Sequence, residues 1–151
     1  MAILHKDLKE FLGLLNKHKV RYLVVGGYAV GAHGYPRYTG DLDVFVDAEP
    51  QNAARVVRAF QEFGFDLPEL NEASFVQPRR IVEVGREPVK LQVMTSISGV
   101  SFAECYANRL DVELDALMVP FIGYAELIKN KSATGRDKDR VDVRELEERR
   151  K

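Results

Sequence analysis

The sequence predicts an α/β (α+β) domain in which a small mixed sheet is flanked by helices. Three observations lead there. Apolar residues at helical spacing alternate along the chain with short β-rich runs. One such run, Arg21 to Val25, stops at Gly26-Gly27, the pattern of a strand followed by a tight turn. The segment DLDVFVD, Asp41 to Asp47, has the two-residue period of a second strand. The 151 residues suit a single domain, 1–151. A chain of that size buries roughly 68–70% of its unfolded surface. With 46% hydrophobic and 30% charged residues, a disordered or fibrous chain is excluded.

The elements follow in order. Leu4, Leu8, Phe11, Leu12 and Leu15 recur at helical spacing and predict an amphipathic helix over 3–18. After the first strand, Tyr28 to His33 forms a short helix, stopped by Gly34-Tyr35-Pro36. In the second strand Leu42, Val44 and Val46 face one side, while Asp41, Asp43, Phe45 and Asp47 face the other. Ala53, Val56, Val57, Phe60 and Phe63 predict a helix near 51–63. Residues 72–84 are expected to be extended. A turn at Gly85-Arg86-Glu87-Pro88 pairs Arg80–Val84 with Val89–Met94 as a hairpin. Helices are expected near 101–108, 123–131 and 137–149, with an extended piece at Leu117–Val119. The segment from Arg136 is highly charged and reads as a solvated helix.

Charge and composition narrow the function. The net charge of −1 gives no global basic field to draw in nucleic acid, although clusters around Lys17–Arg21 and Arg79–Arg80 leave an RNA partner open. One cysteine, Cys105, excludes a disulfide framework and a multi-cysteine zinc site; it reads as a small core residue. His5, His18 and His33 are not at metal-binding spacing. No apolar stretch approaches the ~20 residues of a membrane span, and MAILHKDLKEFLGLL lacks a small-residue cleavage site. A cytoplasmic protein without a membrane partner is expected.

The chemistry lies between Tyr22 and Val46. Two residues of strand place Asp41 and Asp43 about 6.6 Å apart on one face. Carboxylates that close remain ionised only if a cation sits between them. A hard divalent ion suits them, and Mg²⁺ is typically held by one or two carboxylates together with substrate phosphates. Gly26-Gly27 offers close backbone approach and exposed N–H groups for phosphate. Phosphate beside paired carboxylates implies nucleotide chemistry.

The Gly-Gly turn, thirteen intervening residues and Asp-x-Asp resemble the signature of the DNA polymerase β-type nucleotidyltransferase superfamily. The string GGYAVGAHGYPRYTGDLDVFV, with KLQVMTSISGVSF and ELIKNKSATGRDKDRVDV, is similar to minimal nucleotidyltransferases of the abortive-infection AbiEii toxin type. The resemblance runs from about Val20 to Leu146. It implies a polymerase β-like fold in which Asp41 and Asp43 hold two Mg²⁺ ions. It implies that Gly26 and Gly27 bind the triphosphate of an NTP, with Arg37 near the phosphates or acceptor. Lys131 and Arg136 would reach the triphosphate from the C-terminal helices. An acceptor hydroxyl on tRNA or a protein would attack the α-phosphate, in a toxin–antitoxin or phage-defence setting with a cognate toxin or antitoxin as partner.

One position departs from the pattern. The third carboxylate of the superfamily is matched by Gln92, whose amide oxygen is a weak metal ligand and no base at neutral pH. Glu83, on the partner strand of the hairpin, is a lesser candidate substitute. The departure supports an alternative: a non-catalytic protein of this fold that binds nucleotide or a partner. A dinucleotide-binding Rossmann unit is disfavoured, because G-x-G-x-x-G is missing and the helix before Gly34 is too short for a crossover. A P-loop is excluded, because no Gly-Lys-Ser/Thr follows the glycines. Asp139 and Asp142 read as ion-pair partners of Lys138 and Arg136, and Tyr28 and Tyr35 as packing residues.

Overall fold

The computed structural model describes residues 5–86 and 89–151, without the Val89 side chain. Residues 3 and 4 of the first expected helix, and Glu87-Pro88 of the expected turn, lie outside the described residues.

Helix α1, Lys6–Lys17, forms on the predicted stripe, with Leu8, Phe11, Leu12 and Leu15 buried. His5 caps it by accepting from the Asp7 N–H. Strand β1, Tyr22–Val25, is buried throughout and runs directly into α2, Gly26–Ala32. The glycines thus belong to the helix rather than to a separate turn. Strand β2, Asp41–Val46, pairs antiparallel with β1. Helix α3, Pro50–Phe63, starts on a Glu49 side chain that accepts from Gln51 and Asn52 N–H groups and ends at Gly64, φ 111°. Asn52, 1% exposed, bonds the backbone of Arg21 and Asp47, fixing α3 to the ends of β1 and β2.

The stretch expected to be extended over 72–84 divides. Glu72–Phe75 is a 3₁₀ turn, because the Asn71 and Ser74 side chains cap each other's backbone and favour a tight turn over a strand. Only β3, Ile81–Arg86, is extended; it pairs with β4, Val89–Met94, as the expected hairpin, but Gly85 and Arg86, expected in the turn, are paired strand residues. Helix α4, Phe102–Ala107, follows. The expected extended piece is the second half of another hairpin, β5 (Leu110–Leu114) with β6 (Leu117–Phe121). Helices α5, Tyr124–Thr134, and α6, Asp137–Arg149, complete the chain.

The six strands form one mixed sheet in the order β3-β4-β2-β1-β6-β5. The parallel pairs are β2 with β4 and β1 with β6. Leu42, Val44, Leu91 and Val93 are buried, and the aromatic stack Phe11–Phe60–Phe75 joins α1, α3 and the 3₁₀ turn. Phe45 shares a strand face with the aspartates, yet it is buried edge-on against Phe102 of α4. One end of that face is therefore core, and the end bearing Asp41 and Asp43 is left as a cleft. No described helix is long and apolar enough to cross a membrane.

Candidate functional site

The cleft has a volume of about 690 Å³. Strands β2 and β4 form its floor, the start of α2 and the loop before β2 one side, and α5 with the start of α6 the other. Register places Asp43 between Val25 of β1 and Gln92 of β4, so the strand pairing itself brings the aspartate, the glycine start of α2 and the glutamine together.

The glycine start of α2 is fitted to the aspartate. Gly26 has φ 67°, and a Cβ there would lie 2.1 Å from Asp43 Oδ2. A Cβ at Gly27 would meet Thr39 Oγ1 at 2.6 Å. Both positions are closed to a side chain, and at Gly26 the backbone conformation also requires glycine.

Asp41 Oδ1 and Asp43 Oδ1 are both buried, and neither has a hydrogen-bond partner among the described residues. Unpaired buried acceptors are costly and rare. Burial, and next the neighbouring Asp41, push the Asp43 carboxyl up to about 6, while Lys131, Lys138 and Arg136 oppose the rise. This donor set fits a hard divalent cation, which would satisfy both oxygens and relieve the repulsion. Among the described residues no three His, Cys, Asp or Glu side chains converge as a metal group. Gln92 lines the cleft beside Asp43 and donates from Nε2 to Glu83 Oε1. Lys90 lies 3.3 Å from the same oxygen. The hydrogen bond from Gln92, and then Lys90, hold the Glu83 carboxyl below its ordinary range.

The expected cations are present but differently engaged. Lys131 is only 6% exposed, and its Nζ lies 3.0 Å from Asp139 Oδ1 and 3.1 Å from Asp142 Oδ2. Arg37 forms two bonds to Asp142, at 3.1 and 2.8 Å. Arg136 Nε donates to Asp139 Oδ2 at 2.8 Å, and Thr134 Oγ1 donates to the same oxygen at 2.7 Å. Burial works against the Asp139 charge, but Thr134, Lys131 and Arg136 outweigh it and lower its carboxyl. Asp139 and Asp142 are thus ion-pair residues, as expected; Arg136 is one of the expected partners, and Arg37 and Lys131 take the place of Lys138. Asp142 serves Arg37 and Lys131, and Asp139 serves Lys131 and Arg136. Lys138 makes no ion pair with either among the described residues. It lines the cleft, a place that the sequence pattern did not single out. Its place in RDKDR, among alternating charges, made it read as a surface pair.

Other expectations are met locally. His33 Nε2 lies 2.7 Å from the Ile122 carbonyl, and Cys105 is buried, its thiol raised by that burial. The basic cluster near Lys17 is occupied: Lys17 pairs with Glu62 and Arg21 with Asp47.

The architecture has solved counterparts. The TM1012 protein of Thermotoga maritima, described as a nucleotidyltransferase, matches with a TM-score of 0.61 and 18% identity, over 94% of this chain and 91% of its own. The lincosamide antibiotic adenylyltransferase LnuA, solved with lincomycin bound, matches with a TM-score of 0.57 and 16% identity, over 97% of this chain and 98% of its own. These similarities show the polymerase β-like nucleotidyltransferase fold that the motif implied. No curated protein matches the chain. A family model described as "Nucleotidyltransferase of unknown function (DUF6036)" matches residues 2–148, and the chain belongs to that family.

Proposed function

We propose that this chain is a divalent-metal-dependent enzyme that moves a nucleotidyl group from an NTP to an acceptor hydroxyl. The observation that carries the reading is the pair of buried oxygens on Asp41 and Asp43, unpartnered among the described residues, at a cleft where the glycine start of α2 leaves no room for side chains. Membership of a nucleotidyltransferase family supports the reaction class.

Asp41 and Asp43 would hold the metal, two Mg²⁺ ions on the superfamily pattern. Metal bound there would supply positive charge against the phosphoryl oxygens and lower the pKa of the acceptor hydroxyl. Gly26 and Gly27 let the triphosphate approach the backbone. Arg136, whose side chain is 72% exposed, can turn toward phosphate while retaining Asp139. Arg37 and Lys131 act from the wall, holding α6 against the loop before β2. Gln92 supplies an amide oxygen where a carboxylate would take a proton, so the acceptor proton passes to water or to the substrate phosphates. The resemblance to AbiEii-type toxins extends the reading to a tRNA or protein acceptor in the cytoplasm, within a toxin–antitoxin or phage-defence pair.

Gln92 also favours a second reading, a protein of this fold that binds nucleotide or a partner without turnover. Incubation with each of the four α-phosphate-labelled NTPs, Mg²⁺, total RNA and cell extract separates the two. Label on RNA or protein that disappears in the Asp41→Asn/Asp43→Asn variant supports the transferase and identifies base and acceptor. Metal-dependent NTP binding with no label from any NTP supports the second reading.

A further inference from the structure

We infer that Lys138, beside Arg136, is a residue through which the cleft grips the substrate's phosphates, and that Lys131 is a positioning residue rather than a phosphate ligand. This rests on the reading of the cleft as an NTP site. Four cations line that cleft: Arg37, Lys131, Arg136 and Lys138. Three are committed to carboxylates within 3.1 Å. Lys131 is the most deeply committed, buried between Asp139 and Asp142. To reach a phosphate it would have to abandon two carboxylates, which would then be buried without their cation.

Lys138 differs in each respect. It is exposed at the cleft, and among the described residues its side chain makes no ion pair or hydrogen bond. The acids on its own turn are occupied: Asp137 pairs with Arg140 at 3.1 Å, and Asp139 with Lys131 and Arg136. Facing it across the cleft are Asp41 and Asp43, near enough for its charge to be felt at Asp43 but outside ion-pair distance. Its position in the first turn of α6 sets a cation against the positive end of the helix dipole, an unfavourable place that local stability does not explain. A flexible ammonium held near two metal-binding carboxylates, with no carboxylate of its own, is suited to an anion arriving with the metal.

The test is titration calorimetry of each NTP, and of the matching nucleoside, with Mg²⁺ and no acceptor present. Wild type, Lys138→Met and Lys138→Arg are compared, with melting temperature recorded for each. We expect Lys138→Met to weaken triphosphate binding roughly ten- to hundredfold, the worth of one bond to a charged group. Nucleoside binding should not change, Lys138→Arg should regain most of the loss, and the melting temperature should hold or rise. Triphosphate binding by Lys138→Met equal to wild type overturns the inference and leaves the NTP site standing. A loss shared by both variants with a lowered melting temperature means a structural role and also overturns it. Wild type that binds no NTP overturns both.

Discussion

The Arg37 guanidinium and the Asp142 carboxylate, 105 residues apart in the chain, meet through two N–H···O bonds of 3.1 and 2.8 Å. This bidentate pair fastens the loop before β2 to α6, and Lys131 shares its carboxylate. Removing one member of a buried charge pair strands the others. Asp142→Ala should therefore destabilise the fold by about 3–5 kcal/mol, and Lys131→Met by a similar amount. Arg140→Ala, which breaks only the exposed pair with Asp137, should change stability by less than about 0.5 kcal/mol. Urea denaturation of the three variants measures the contrast. Equal effects would mean that the buried network is not what holds α6.

The two glycines at the cleft should not be equivalent to a third elsewhere. At Gly26 an alanine Cβ meets the Asp43 carboxylate at 2.1 Å in a left-handed conformation, so Gly26→Ala should displace Asp43 and abolish metal-dependent nucleotide binding. Gly135→Ala, also at positive φ but with open space around it, should lower stability by only about 1 kcal/mol and leave binding intact. Thermal melting and nucleotide titration of both variants test this. Retained binding in Gly26→Ala would show that nucleotide binding does not need the close approach of Gly26 to Asp43.

The carboxyl of Asp43 gives the metal-free protein a pH signature. Its value rises from 3.8 to about 6 on folding, so between those pH values the native state holds a proton that the unfolded chain has released. The stabilising contribution is complete below about 3.8 and is lost as pH rises through 6. A shift of about two units corresponds to at most about 3 kcal/mol. Asp43→Asn should thus be more stable than wild type at pH 7.5 without metal, with the gap closing toward pH 4.5. Added Mg²⁺ or Mn²⁺ should raise the melting temperature of wild type but not of the variant. Parallel melting curves at all pH values would show that Asp43 is not strained.

Gln92 is the position where one substitution should exchange stability for metal affinity. Gln92→Asp places a third carboxylate beside Asp43 and opposite Glu83 in register, and removes the amide that donates to Glu83. Without metal, like charges there should lower the melting temperature. With Mn²⁺ the variant should bind metal at least tenfold more tightly, and turnover, if limited by the amide, should rise. Calorimetry with Mn²⁺ decides it. Unchanged affinity would mean that position 92 does not face the metal.

What could be read in the sequence was what depends on neighbours along the chain. Asp41 and Asp43 share a face because strands alternate, and Gly26-Gly27 announces its own backbone geometry. Strand β5 was missed although Leu110, Val112 and Leu114 alternate with Asp111 and Glu113. Its turn, Asp115-Ala116, adopts φ of 48° and 68° without the glycine that normally signals such a hairpin. Charge pairing was legible only in part. That Asp139 and Asp142 would pair followed from the surrounding cations, but Arg37 meets Asp142 from 105 residues away in the chain, a relation that no local pattern encodes. The separation of Lys131 from Lys138, one buried and one exposed, depends on where α5 and α6 cross, and tertiary packing alone sets that.

The order of the strands has a consequence for how the protein is made. Val24 of β1 pairs with Phe121 of β6, and the carboxylate that secures Arg37 comes later still. Such distant partners must close long loops before they contribute stability, so the central strand waits for its neighbour until most of the chain has left the ribosome. The hairpin of β3 with β4 needs no such wait. The side that α5 and α6 give the cleft of Asp41 and Asp43 is therefore the last part of it to be made, after β2, β4 and α2.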